Sequence, residues 1–183
     1  MRKADLERAA RRLVQALGKD ECLLVGGMAV AAHGYVRGTR DVDFVAKGPL
    51  AEARRRLADR GIATTLGRGD FSCLKGSLGP VPFDILPELV PLDWDSAVEI
   101  GLGRVRLKVV DLPGLLQLKL KAHGARDLMD AAVLVLLHPE HRARVEELAV
   151  AYRVADKMNI WLSDARLESE ARAQRSRRRR ARR

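Results

Sequence analysis

The stretch from residue 22 to residue 46 constrains this chain more than any other. CLLV reads as a short buried strand, Gly26-Gly27 follows it at once, and MAVAAHGYV offers small residues suited to a closely packed helix that ends near Gly34. A loop then leads to DVDFVA (41–46), where carboxylates alternate with apolar residues at the period of a strand with two unlike faces. Strand, double glycine, helix, loop and Asp-x-Asp strand in that order require an α/β arrangement, because strands this short must be covered by helices.

Asp41 and Asp43 lie two apart, so on one strand their side chains leave the same face about 6–7 Å apart. Two carboxylates aimed the same way repel unless a cation lies between them, and hard oxygen ligands suit Mg²⁺ or Mn²⁺. VPFDIL (81–86) carries a third carboxylate, Asp84, inside an apolar run where an unpaired charge is costly. Three carboxylates from adjacent strands can hold two ions about 4 Å apart. The alternative is that Asp41 and Asp43 face solvent or pair with Arg37, Arg40 or Lys47, since an Asp-x-Asp alone is weakly diagnostic.

Elsewhere in the first half, residues 3–17 have a helical apolar period stopped by Gly18, and Pro49 opens a helix that Gly61 closes. Short strands are expected near 62–66, 71–75 and 81–86, with a hairpin over 97–110 around Gly101 and Gly103. From Asp111 the pattern is helical only. One helix covers LPGLLQLKLKAH, Gly124 interrupts it, ARDLMDAAVLVLL forms the next, and Pro139 precedes a third over EHRARVEELAVAYRVADKM. From about residue 160 the chain is polar and is expected to fray.

Composition narrows the function classes. Hydrophobic residues make up 47% and charged residues 32%, as in globular proteins, and the longest apolar run, AAVLVLL, is far shorter than a membrane span. The start is charged throughout, which points to a cytoplasmic chain with no membrane partner. Cys22 and Cys73 make no ligand-like cluster and read as small buried hydrophobes. The net charge is +10, but seven arginines lie in RSRRRRARR (175–183), and removing those seven leaves +3 for the rest. The basicity belongs to the tail, and arginine pairs well with phosphate.

VGGMAVAAHGYVRGTRDVDF (25–44) resembles the signature of nucleotidyltransferases of the polymerase beta-like fold, in which a Gly-Gly turn precedes Asp-x-Asp by about a dozen residues. Within that superfamily it looks closest to AbiE-type abortive-infection toxins and to antibiotic nucleotidyltransferases. KLKAHGARDLMDAA (119–132) is similar to the Lys…Ala…Arg-Asp-x-x-Asp helix of the AbiE-type group. The resemblance implies an α+β class, a mixed β-sheet nucleotidyltransferase fold with flanking helices and a helical C-terminal segment. It divides the chain into an α/β core (1–110), a helical segment completing the cleft (111–165) and a basic tail (166–183).

The activity so implied is metal-dependent transfer of a nucleoside monophosphate from an NTP to an acceptor. Asp41, Asp43 and Asp84 would hold Mg²⁺ or Mn²⁺, and Gly26 and Gly27 would cradle the phosphates of the NTP. Arg37 and Arg40 could meet the triphosphate. Lys119, Arg126, Asp127 and Asp130 would contact nucleotide or acceptor, against the plainer reading of an Arg126–Asp130 ion pair along a helix. Many members have serine after the two glycines; Met28 stands there instead, so phosphate contact would rest on backbone amides. The implied acceptor is RNA, tRNA included, met by the arginine tail in a toxin–antitoxin setting with a cognate antitoxin as partner. The alternatives are an antibiotic nucleotidyltransferase and a non-catalytic nucleic-acid or partner-binding protein of the same fold.

Overall fold

A computed structural model describes residues 2–67, 72–102 and 105–181, with side chains placed as far as residue 177. Gly103 of the expected hairpin, residue 71 of an expected strand and the last two arginines lie outside the described residues. The chain divides into two compact units, one of residues 1–29 and 38–111 and one of residues 30–37 and 112–183.

The first unit is built on a seven-stranded sheet. In chain order the strands are β1 (Cys22–Val25), β2 (Val42–Ala46), β3 (Thr65–Gly67), β4 (Cys73–Leu78), β5 (Val81–Leu86), β6 (Val98–Leu102) and β7 (Val105–Val109), and they lie side by side as β3-β4-β5-β2-β1-β7-β6. β2 runs parallel to β5 and β1 parallel to β7, while the other neighbours are antiparallel, so the sheet is mixed as expected. β1 is buried along its whole length because it is central and covered. Helices α1 (Lys3–Leu17) and α3 (Leu50–Ala58) lie against one another and against the sheet. α1 buries Leu6, Ala9, Ala10, Leu13, Val14 and Leu17, the apolar set read from its period, and its polar face is left to water. β5 alternates in the same way: Val81, Phe83 and Ile85 enter the core, which leaves Asp84 on the other face.

The second unit gathers helices α4 (Leu112–Ala122), α5 (Ala125–Leu137), α6 (Arg142–Ala151), α7 (Ala155–Leu162) and α8 (Ala165–Ala181), with a 3-10 turn at Pro139–His141. α5 is its centre: Leu128 and the run Ala131–Val135 are almost wholly buried, and α4, α7 and α8 pack on it. Two expectations need correction. The third helix is broken at Arg153, which takes φ +58 and separates α6 from α7. The stretch expected to fray is instead α8, whose Leu167, Ala171 and Gln174 are buried at successive turns. Segment 30–37, which follows the glycine pair in sequence, belongs to this helical unit. Its first residues complete the short helix α2 (Gly26–Ala32). Among the described residues, no helix is long and apolar enough to cross a membrane.

Candidate active site

Sheet register decides which of the sequence-predicted carboxylates meet. Parallel pairing sets Asp43 of β2 directly beside Asp84 of β5, and antiparallel pairing sets Lys75 of β4 beside Asp84 on its other side. Asp43, Asp84 and Lys75 therefore form one cross-strand row on one face of the sheet. The Lys75 ammonium lies 2.8 Å from Asp84 Oδ2. This bond, first, and the nearby carboxylates of Asp84 and Asp43 hold the lysine pKa above its ordinary value, although burial works the other way.

Gly26 closes over the same row. β1 pairs with β2 so that Val25 stands opposite Asp43, and the next residue leaves the strand across the Asp43 side chain. A Cβ at position 26 would lie 1.9 Å from Asp43 Oδ2 and 2.9 Å from Asp43 Cβ, and the residue takes φ +62. Both facts require glycine. Gly27 is buried at the start of α2.

Asp41 is placed differently from expectation: β2 begins at Val42, so Asp41 is in the loop before the strand. It is exposed and accepts a 2.6 Å hydrogen bond from the Thr39 hydroxyl. Arg40 beside it is also exposed. Among the described residues, no group of three or more His, Cys, Asp or Glu side chains is gathered as a metal cage. The structure thus brings Asp43 and Asp84 together and leaves Asp41 on an adjoining loop. Two hard carboxylates side by side on one face are a donor set suited to Mg²⁺ or Mn²⁺. Among the described residues, the cation bonded to Asp84 is the Lys75 ammonium, whose side chain is 51% exposed.

The helical unit holds a second charged cluster, centred on a buried carboxylate. Asp130 is 0% exposed and receives a forked pair of hydrogen bonds from the Arg37 guanidinium together with the Lys119 ammonium at 3.0 Å. Lys119, only 7% exposed, also reaches Asp127 at 2.7 Å. Burial works against the charge on Arg37, but the hydrogen bonds and negative charge of Asp130 outweigh it and raise its pKa. Arg37 is a half-buried partner of Asp130, and the carboxylate that the plainer reading paired with Arg126 is engaged by Arg37 and Lys119. Arg126 itself is exposed.

Further bonds tie segment 30–37 to the same helices. His138 Nε2 donates to the His33 carbonyl at 2.9 Å, and Gln174 donates to the Val36 carbonyl at 3.1 Å. Tyr35 is buried and hydrogen-bonded to Glu170; burial first, then the charges of Glu170 and Asp130, push its pKa up to about 12. Sequence reasoning missed Lys75 and Tyr35. The alternation of CLKGSL would have put Lys75 on the face opposite Leu74, but nothing local says which strand lies beside it.

No family model matches this chain, and no curated protein sequence matches it. Solved structures do. ANT(2'')-Ia, in complex with adenylyl-2''-tobramycin, superposes with a TM-score of 0.58 at 14% identity, over 80% of this chain and 96% of that one. An antigenic nucleotidyltransferase-like protein from Paracoccidioides brasiliensis superposes with a TM-score of 0.56 at 16% identity, over 93% of this chain and 94% of the other. At such identities the likeness is one of fold.

Proposed function

We propose, starting from the nucleotidyltransferase fold shared with those structures, that this chain transfers a nucleoside monophosphate from an NTP to an acceptor with the aid of Mg²⁺ or Mn²⁺. The observation that carries the reading is the register that sets Asp43 beside Asp84, with a glycine required over Asp43. Asp43 and Asp84, joined by Asp41 from the adjoining loop, would hold the metal. When bound, it supplies neutralising charge to the triphosphate and acidifies the attacking hydroxyl. The chain's own work is then positional and electrostatic, as suits phosphoryl chemistry without a covalent nucleophile. On this reading Asp84 would accept the proton of that hydroxyl, the exposed Arg40 would offer positive charge to the triphosphate, and the backbone amides of Gly26-Gly27 would cradle its phosphates. The resemblance also assigns Lys119, Arg126, Asp127 and Asp130 to nucleotide or acceptor contacts. Arg126→Ala tests that role alone, since Arg126 is exposed while Asp130 and Lys119 are buried.

The acceptor we favour is RNA, because the arginine run continues α8 and offers a cationic element to a phosphate backbone. The second reading is a small-molecule acceptor, of the kind represented by the adenylylated tobramycin in the ANT(2'')-Ia structure. Incubation with each α-labelled NTP, Mg²⁺ or Mn²⁺, and either total RNA or an aminoglycoside panel separates them by where label appears. We expect label in RNA, lost in Asp43→Asn and Asp84→Asn. RNA binding without transfer to either acceptor, from any NTP, would put the non-catalytic binding protein in place of the enzyme. Growth arrest on expression, relieved by a co-expressed partner, tests the toxin–antitoxin setting.

A further inference from the structure

Lys75 is the one member of the cross-strand row that neither the motif order nor the resemblance assigns. Three observations define its seat. Register fixes it beside Asp84, its ammonium is bonded to Asp84 Oδ2 at 2.8 Å, and its stem passes close over Gly67. A Cβ at position 67 would meet Lys75 Cε at 2.8 Å and Cys73 Sγ at 2.9 Å, so glycine keeps that path open. The ammonium therefore covers an oxygen that a metal ligand would need, and half of the side chain remains in water.

We propose that Lys75 is a built-in counter-cation of the Asp43–Asp84 pair, holding Asp84 in place until a divalent cation displaces it. Without a positive charge, two neighbouring carboxylates on one face would repel and splay apart. The lysine keeps them set for the metal at the expense of competing with it. Displacement needs no backbone change, because the four-carbon stem can swing its ammonium into solvent or onto the incoming triphosphate. Lys75 is on this view a positioning residue that lowers metal affinity in the resting protein and reserves full occupancy for metal arriving with nucleotide.

This inference rests on Asp43 and Asp84 being metal ligands, and the test separates the two. Mn²⁺ is titrated without nucleotide into wild type, Lys75→Met, Lys75→Gln, Lys75→Arg and Asp84→Asn, by calorimetry and by loss of the free Mn²⁺ resonance signal, with unfolding curves as the check on folding. Removing one unit charge next to the site should tighten Mn²⁺ binding about fivefold in the methionine and glutamine variants. The arginine variant should stay within about twofold of wild type, and Asp84→Asn should lose binding. A purely structural lysine would give the opposite sign, since its removal would loosen the site. Equal or weaker binding in folded Lys75→Met and Lys75→Gln, with binding still lost in Asp84→Asn, overturns the counter-cation and leaves the metal site standing. Mn²⁺ binding that is absent from wild type and from every Lys75 variant, or that survives in Asp84→Asn, overturns both.

Discussion

Gly26→Ala is the sharpest test of how the site is built, because the structure supplies both terms of its cost. The backbone at position 26 takes φ +62, a region in which a Cβ costs about 1–2 kcal/mol. The new methyl would also lie 1.9 Å from Asp43 Oδ2, 2.7 Å from its Cγ and 2.9 Å from its Cβ. Turning the carboxylate aside relieves the first two contacts but not the third, which is fixed to β2. The strand must shift, and overpacking of this kind costs about 1–3 kcal/mol. The expected loss is therefore about 2–5 kcal/mol, read from urea unfolding at constant m-value. In an Asp43→Gly background both the carboxylate and the Cβ are gone, and the same substitution should cost only about 1–2 kcal/mol, so a double-mutant cycle isolates the contact. A loss below about 1 kcal/mol in the wild-type background, or equal losses in both backgrounds, refutes the claim that Gly26 is required by Asp43.

Three further outcomes are expected. Asp130→Ala leaves the buried Lys119 and the half-buried Arg37 without their shared carboxylate, and should cost about 3–5 kcal/mol in urea unfolding; a loss under about 1 kcal/mol would mean the cluster is solvated. Tyr35 ionises near pH 10 in the unfolded chain and at about 12 when folded, so its contribution is complete below pH 10 and lost as pH climbs from 10 to 12. Tyr35→Phe should remove the phenolate absorbance step near pH 12 and flatten that part of the stability curve. Deleting residues 175–183 should weaken RNA binding and reduce its salt dependence, leave nucleotide and metal affinity unchanged, and leave Leu167, Ala171 and Gln174 in place to hold α8. Equal RNA affinity with and without those residues at low salt removes the main reason for preferring RNA.

Much of the first unit was legible in the sequence because its signals are local. The apolar period of residues 3–17, Pro49 ahead of a helix and the alternation in VPFDIL each specify an element without reference to the rest of the chain. The meeting of Asp43 with Asp84 was legible only as a requirement: a carboxylate in an apolar strand needs a partner, but the partner is set by a parallel register between segments some forty residues apart. Lys75 was not legible, since its neighbour depends on that same register. The Arg37–Asp130 bond spans 93 residues and crosses from the loop before the Asp-x-Asp motif into α5, so no spacing rule could find it. Arg153 carries no stop signal of its own; only its backbone reveals the break between α6 and α7.

The C-terminal region shows why net charge and order must be argued apart. Seven arginines in nine residues read as a tail without an apolar anchor, and the polarity of the chain from about residue 160 predicts fraying. Yet Leu167, Ala171 and Gln174 recur at helical spacing, and a helix needs only such a narrow stripe to dock when its partner is the apolar α5. Gln174 satisfies its buried amide on the Val36 carbonyl, and Arg175 donates to the Leu136 carbonyl. The backbone helix then continues through Arg177 to Ala181. The backbone of the arginine run thus extends an anchored helix as far as Ala181, at a rise of about 1.5 Å per residue. An extended chain would string the same residues out at more than twice that spacing. On the proposed reading of an RNA acceptor, a segment already held in a helix would meet phosphates with little further ordering cost. A coil would have to be ordered on binding, and its affinity would fall accordingly.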